Sequence, residues 1–328
     1  MDKRIDYIDA AKGVGILLMI LGHCYYVGTV PGLSRVIYSF HMPLFFIISG
    51  LFIKPLSLKE GVKKYAKAYL KPYLVACGLM LLLTIVLHLI SGEGLVEPIK
   101  TALKSYLFAS GSTQGTALYH DYPKVGMIWF LFALFWGCLF YSLIKTLFTA
   151  KMDIVLFSIL LFFIGYCSSK YIRLPFSIQA GLCSVVFIMS GNIIRQYGIV
   201  EKVLQSPKTI ISIMTIIWIV SALMLGGINM ACNLYDEGII QFPASIIATL
   251  LLFAACSKLK LRLSKLGQST LAILIGHQLF KSYCWQTGFN LGCIIPISTP
   301  PLTLIIELFI QVFIAVAIAF VIKKIKLI

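Results

Sequence analysis

The 328-residue chain is poor in charge, and above all in negative charge. Only 12% of its residues are charged, and 12 Asp and Glu stand against 28 Lys and Arg, which gives a net charge of +16. Hydrophobic residues make up 59% of the chain and the mean hydropathy is +0.95, which is more apolar surface than a soluble globule can bury. The basic excess therefore does not indicate a nucleic-acid-binding protein, because apolar runs of membrane-spanning length surround it.

Motifs of several other protein classes are missing from the sequence. It contains no Cys-x-x-Cys pair, no nucleotide-binding glycine motif, no internal repeat at a fixed period and no low-complexity tract. The nine cysteines are scattered in or beside apolar runs without the spacing of metal ligands. We interpret them as small buried hydrophobic residues, and we predict no metal site.

Ten apolar runs are suited to cross a bilayer as helices, with short polar loops between most of them. They lie at about 10–28, 36–53, 72–90, 127–146, 154–169, 177–194, 209–227, 239–256, 269–286 and 302–322. The first run carries Lys12 and His23 and lacks a small-residue cleavage site, so it is a retained span rather than a signal peptide. The sequence predicts an all-α, polytopic transmembrane bundle of about ten spans, forming a single domain over residues 1–328 without a fused soluble domain.

Lys and Arg residues concentrate in alternate loops, which predicts the orientation of the chain. With the N-terminus inside, 20 of them fall on the inner side and seven on the outer side. We therefore predict that both termini are cytoplasmic. The longest loop, residues 91–126, then falls outside, where it is positioned to cap an extracellular opening.

Ionisable side chains at membrane depth cost about 2.5–3.5 kcal/mol each to insert, so they mark functional positions. Asp9, Lys12 and His23 in the first run fall on one helix face at about 100° per residue. His23 is about 16 Å deeper than Lys12, near the middle of the membrane. Either Asp9 and Lys12 form an interfacial pair while His23 bonds a neighbouring helix, or His23 is a general base, since neutral imidazole accepts a hydroxyl proton near pH 7.

Three further polar residues lie within predicted spans. His41 belongs to the second run, His277 to the ninth at a depth similar to that of His23, and Glu307 to the last. Each is a candidate substrate-binding residue, with helix packing as the alternative. Pro43, two residues after His41, predicts a kink in the second helix.

A basic row precedes the third run, where Lys59, Lys63, Lys67 and Lys71 recur every four residues on one predicted helix face. Such a row can bind several phosphates. It also satisfies the positive-inside bias and suits contact with anionic membrane lipids, so the pattern alone leaves both interpretations open.

Five segments together resemble the acyltransferase-3 family of integral membrane acyltransferases, and particularly its fucose 4-O-acetylase-like branch. They are RIDYIDAAKGVGILLMILGH (4–23), SFHMPLFFIISG (39–50), YLKPY (69–73), IWFLFALF (128–135) and LGQSTLAILIGH (266–277). The first-helix signature of the family is a basic residue, usually Arg, then ten residues and a His. This sequence has Lys12 and His23, and lysine keeps the charge without the planar fork of arginine.

The resemblance implies an acyl-CoA-dependent O-acetyltransferase of the bacterial plasma membrane with His23 as the catalytic residue. It implies cytoplasmic acetyl-CoA as the donor, with its phosphates near Lys63, Lys67 and Lys71, no metal, and a cell-envelope saccharide or lipid-linked precursor as the acceptor. His23 then either deprotonates the sugar hydroxyl or first accepts the acetyl group itself. The alternative is a transporter or exporter of such glycans, although the sequence lacks the inverted repeats typical of transporters.

Overall fold

The structure is a computed structural model that describes residues 5–113, 116–118, 123–235, 241–289 and 300–328. The described residues are almost entirely helical and contain no named β-strand. The prediction of an all-α polytopic bundle is confirmed at this level.

The helices are numbered here in chain order. They are α1 (Asp6–Gly22), α2 (Leu33–Tyr38), α3 (His41–Leu51), α4 (Leu58–Tyr65), α5 (Lys71–Ser91), α6 (Val96–Phe108), α7 (Trp129–Leu147), α8 (Lys151–Ser169), α9 (Ile178–Gln196), α10 (Ile199–Gln205), α11 (Lys208–Leu225), α12 (Gln241–Lys258), α13 (Ser264–Gly267), α14 (Thr270–Thr287) and α15 (Pro300–Lys324). Short 3-10 helices occupy Tyr25–Thr29 and Pro175–Ser177, and a π-helical segment, Ala66–Leu70, joins α4 to α5.

Eight helical segments of the described chain are long and apolar enough to cross a membrane, judged by length and composition. They are α2 with α3, α4 with α5, and α7, α8, α9, α11, α12 and α15. These eight coincide with eight of the ten predicted runs. The first run forms α1, which ends just before His23, and the ninth run forms α14, which carries His277 near its centre. Both helices pack inside the bundle.

Hydrogen bonds near the ends of helices join segments that the charge alternation assigns to the same side of the membrane. Ser264 Oγ donates to the Asp6 carbonyl over 3.2 Å, and Lys323 Nζ donates to Ser269 Oγ over 2.7 Å. We call this the inner end of the bundle. At the other end, here the outer end, Arg35 Nη1 donates to the Leu223 carbonyl over 2.6 Å.

The second span is broken between α2 and α3, at Ser39 and Phe40. Pro43 explains the position, because it has no N–H to donate and its ring displaces the carbonyl four residues earlier, that of Ser39. The predicted kink is therefore present, and it makes His41 the first residue of α3.

The loop of residues 91–126, which we call the outer loop, leads into backbone that reaches the middle of α14. Gln278, the ninth of the 18 residues of α14, accepts the Met127 N–H over 2.7 Å and donates to the Val125 carbonyl over 3.2 Å. Non-helical backbone survives at membrane depth only where side chains or a cavity satisfy its polar groups, and Gln278 does so here. Residues 114–115 and 119–122 of this loop, including His120, lie outside the described residues.

Glycines allow two of the polar helices to pack closely on their neighbours. A Cβ added at Gly267 in α13 would fall on the carbonyl oxygen of Asp9 in α1. A Cβ at Gly276, next to His277, would crowd the carbonyl of Ala315 in α15. The backbones of α1 and α14 are thereby fixed relative to the inner end and to α15.

Candidate active site

A cavity of about 860 Å³ is lined by residues from both ends of the bundle. Its wall includes parts of α1, α2, α3, α4, α7 and α14 and of the outer loop. The charged and polar groups from the inner end include Asp9, Lys12, Lys64 and Gln268. Those from the outer end include Ser112, Lys124 and Trp285, and His23 and His41 lie between the two sets.

His23 directly follows α1, and it lines the cavity. Its backbone leaves the helical conformation, and its Nδ1 lies 2.8 Å from the Met19 carbonyl oxygen. A carbonyl only accepts, so Nδ1 carries the hydrogen and the neutral ring keeps its lone pair on Nε2. A base with a fixed tautomer and access to the cavity is what proton abstraction from a hydroxyl requires.

His41, the first residue of α3, makes the same type of hydrogen bond. Its Nδ1 donates to the Ile37 carbonyl over 2.9 Å, across the break between α2 and α3. The side chain is 1% exposed and lines the cavity, and the Tyr38 ring meets it edge-on with centroids 5.0 Å apart. The structure therefore places His41 in the same cavity as His23, as a substrate-binding role needs.

His277 lies beside His23 rather than in the cavity wall. The two rings meet edge to face with centroids 6.2 Å apart, and His277 is fully buried. Neither of its ring nitrogens has a hydrogen-bond partner among the described residues. The expected similarity in depth of the two histidines is present, and among the described residues His277 contacts the site through His23.

Asp9 and Lys12 form an ion pair at the inner end of the cavity, with Nζ and Oδ1 3.0 Å apart. Asp9 also accepts a 3.3 Å hydrogen bond from Gln268 Nε2, which comes from the turn between α13 and α14. Asp9 is buried and Lys12 is partly exposed, so the carboxylate fixes the ammonium group at the cavity wall.

The predicted basic row does not lie on one face of a continuous α-helix. α4 starts at a capping box between Ser57 and Glu60 and ends at Tyr65, where the π-helical segment begins. In that segment each N–H bonds five residues back, so a spacing of four does not keep one face through it. Lys63, Lys67 and Lys71 are exposed, and among the described residues of α4 it is Lys64 whose lysine side chain lines the cavity.

Glu307 is engaged with backbone instead of lining the cavity. Its carboxylate accepts the N–H groups of Tyr25 and Tyr26 over 2.8 and 3.3 Å and an N–H of Gln311 over 2.6 Å. Glu307 is not among the described residues of the cavity wall. Its contacts fix the 3-10 turn that follows His23, and its role in substrate binding stays a prediction.

Two groups near the site were not foreseen from the sequence, and of these Tyr38 lines the cavity. Tyr38 donates its hydroxyl to the Gly22 carbonyl over 2.9 Å and so ties the end of α1 to the start of the second span. Gln278 holds the end of the outer loop through two hydrogen bonds. The sequence feature that could have identified it is an amide side chain beside His277 in the middle of an apolar run. Among the described residues, no group of three or more His, Cys, Asp or Glu is arranged to hold a metal ion.

Apolar helices of spanning length around a polar, histidine-bearing cavity are features of a multi-pass membrane protein with an internal reaction or transport chamber. An acyltransferase domain profile, acyltransferase-3, matches residues 5–324. The chain belongs to this acyltransferase family, and the resemblance drawn from its motifs is confirmed at the family level. No curated protein and no solved structure matches it.

Proposed function

We propose that the protein is a membrane O-acetyltransferase of the fucose 4-O-acetylase-like branch. It transfers an acetyl group from cytoplasmic acetyl-CoA to a hydroxyl of a cell-envelope saccharide or its lipid-linked precursor. The observation that supports this is the cavity, which His23 lines together with lysines from the two ends of the bundle. Acetyl-CoA is too polar to cross a bilayer, so a base accessible from both faces lets the acetyl group cross alone.

The donor binds from the inner end, where phosphate-binding cations are grouped. Lys64 and Lys12 line the cavity, and Asp9 holds Lys12 in place. Lys63, Lys67 and Lys71 are exposed on the neighbouring segment, where they attract the coenzyme A phosphates over longer range. Contact with anionic lipid is the alternative role of these three.

The transfer itself needs one proton to move twice. As the acceptor oxygen attacks the thioester carbonyl, His23 Nε2 takes the hydroxyl proton. The carbon–sulfur bond then breaks, and the imidazolium returns that proton to the thiolate of coenzyme A. In the two-step alternative Nε2 attacks the thioester first, the carbon–sulfur bond breaks and coenzyme A leaves as its thiolate. The acceptor hydroxyl then attacks the acetyl group on Nε2, the nitrogen–carbon bond breaks, and the hydroxyl proton passes to the thiolate.

The cavity also favours one second candidate, an exporter of a glycan or lipid-linked glycan, because its wall joins both ends. An exporter moves its cargo unchanged. The two functions therefore differ in a covalent product.

The test uses purified protein in nanodiscs with radiolabelled acetyl-CoA and a mixture of envelope glycans, and mass spectrometry detects acetylated products. We expect transfer by the wild type and a loss of about 10²–10⁴-fold in His23→Gln, which keeps a donor for the Met19 carbonyl but offers no base. His88→Gln is the matched control, because His88 Nδ1 makes the same bond to the Thr84 carbonyl, 2.9 Å long, on a helix whose histidine does not line the cavity.

Two outcomes contradict the proposal. Transport of glycan without any acetylated product assigns the exporter function. Transfer by His23→Gln at the wild-type rate removes His23 from the chemistry and leaves the acetyltransferase without its base.

A further inference from the structure

The outer end of the cavity carries a lysine stacked on an exposed aromatic ring. Lys124 Nζ lies 4.6 Å from the ring centroid of Trp285, and both residues line the cavity. Lys124 is exposed and Trp285 is 48% exposed, so a molecule that enters from the outer end contacts both. Neither residue takes part in the proton transfer proposed above.

Among the described residues that line this end of the cavity, the charged side chain is that of Lys124. The ion pairs among the described residues involve Lys12, His88 and Lys100, and none of them involves Lys124. A cavity wall with one sign of charge concentrates ligands of the opposite sign.

A second cation supports the same stretch of wall. Arg173 is buried, and its Nη1 donates to Ser110 Oγ over 3.1 Å and to the Ser112 carbonyl over 3.3 Å. Ser112 itself lines the cavity. Among the described residues of the cavity wall the carboxylate is that of Asp9, which lies at the inner end and is paired with Lys12.

The backbone of Lys124 is held in place before any ligand binds. The next residue, Val125, donates its N–H to the Ser110 carbonyl over 2.7 Å, and its own carbonyl accepts from Gln278. Only the side chain of Lys124 needs to move from the indole ring to a ligand. Such preorganisation lowers the entropy lost on binding.

We propose that the outer end of the cavity is an acceptor subsite for a saccharide that carries an anionic group. Lys124 binds the anion, and the indole ring of Trp285 packs against the apolar face of the sugar ring. The anion is a carboxylate of the sugar or the phosphate of a lipid carrier. This inference rests on the proposed function, since it assigns the substrate class of the same site.

The experiment measures binding to the full chain in nanodiscs of zwitterionic lipid, by calorimetry and without acetyl-CoA. Octyl glucuronide and octyl glucoside differ only in a carboxylate against a hydroxymethyl group, and glucosyl phosphogeraniol places the charge on the carrier. We expect at least one anionic probe to bind about tenfold tighter than the glucoside, as charge-assisted hydrogen bonds are the strong ones. Lys124→Gln should remove most of this preference, Lys124→Arg should keep it, and Trp285→Leu should weaken all three probes.

Lys170 provides the matched control. Its Nζ lies 4.4 Å from the ring centroid of Tyr166, so it is another exposed lysine stacked on an aromatic ring, and it is not among the described residues of the cavity wall. Lys170→Gln should leave all affinities unchanged. The probe whose binding depends on Lys124 identifies the sugar or the carrier as the source of the anion.

Equal binding of neutral and anionic probes by the wild type, or an unchanged preference in Lys124→Gln, overturns the subsite. Because the assay contains no donor, its failure is distinct from failure of the proposed function. Lys124-dependent binding with no acetyl transfer under any condition supports the subsite and rejects the acetyltransferase. His23-dependent transfer without any preference for anionic acceptors does the reverse.

Discussion

The hydrogen bond from a histidine Nδ1 to the carbonyl four residues earlier occurs three times among the described residues. His23, His41 and His88 all make it, with donor–acceptor distances of 2.8 to 2.9 Å. The bond therefore does not itself mark a catalytic residue. What differs is the surroundings of the ring: His23 and His41 line the cavity, whereas Nε2 of His88 lies 3.6 Å from the exposed carboxylate of Glu93.

Substitutions of Lys12 test whether donor binding needs only the positive charge or also the shape of the lysine side chain. Lys12→Ala removes a charge-assisted bond of roughly 1.5–3 kcal/mol, so we expect the KM for acetyl-CoA to rise by about tenfold or more. Lys12→Arg keeps the charge beside Asp9 and should stay within about fivefold of the wild type. Steady-state kinetics at fixed acceptor concentration measures both.

Lys100 is the control for that prediction, because Lys100 and Glu97 form the same i, i+3 pair on exposed residues, with Nζ and Oε1 3.4 Å apart. An exposed pair contributes about 0.2–1 kcal/mol, and Lys100→Ala should leave the donor KM unchanged. If Lys12→Ala behaves like Lys100→Ala, the Asp9–Lys12 pair serves only the inner interface.

His277 is tested by its dependence on His23. Two imidazoles that act on one proton-transfer step are strongly non-additive, so His23→Ala with His277→Leu should be little slower than His23→Ala alone. His277→Leu alone should lower turnover without lowering the melting temperature, since it removes two buried ring nitrogens that lack partners among the described residues. A lower melting temperature with unchanged turnover per folded molecule assigns His277 to helix packing.

At the scale of helices, hydrophobic runs located the elements but not the points where they end or change pitch. The run that begins near Ala10 is apolar past Cys24, yet α1 stops at Gly22 because the chain turns into a 3-10 helix whose N–H groups bond to Glu307. That partner is 282 residues away from Tyr25, and no local pattern contains it. A period count does not detect the π-helical segment after Tyr65 either, and within that segment a spacing of four residues does not keep lysines on one face.

Gln278 makes the outer loop depend on the middle of α14. Gln278→Met keeps the side-chain volume but leaves the Met127 N–H and the Val125 carbonyl without this partner, at about 1–3 kcal/mol for each buried group. We expect a lower melting temperature and a raised KM for the acceptor with little change in the KM for acetyl-CoA. Thermal unfolding and steady-state kinetics on the purified protein measure these effects.

Gln286→Met is the matched control, because Gln286 is exposed on the same helix and should tolerate the change. Equal effects of the two substitutions would show that helix α14, and not the bond to the outer loop, responds to the loss of an amide.

At the scale of the whole molecule, the sequence identified the family and the histidines at depth, whereas the connection of the two ends depends on folding. Asp9 and Lys12 come from the first helix, Lys64 from a segment about 50 residues later, and Lys124 from the outer loop. Their placement along one cavity follows from contacts between distant segments. The cysteines behave mainly as predicted, since six of the eight described are buried, while Cys167 is exposed and Cys284 is half-buried.

The orientation of the chain in the membrane is inferred from the alternation of basic loops alone, and it can be tested directly. In sided proteoliposomes, a membrane-impermeant maleimide should label Lys64→Cys only from the cytoplasmic face and Lys124→Cys only from the opposite face, with Cys167, Cys284 and Cys293 replaced by serine. Acetyl transfer should require acetyl-CoA on the Lys64 side and acceptor on the Lys124 side, because both ends contribute to the cavity wall around His23. Labelling of both cysteines from one face would refute the predicted topology, and transfer only when donor and acceptor share one face would refute passage of the acetyl group through the bundle.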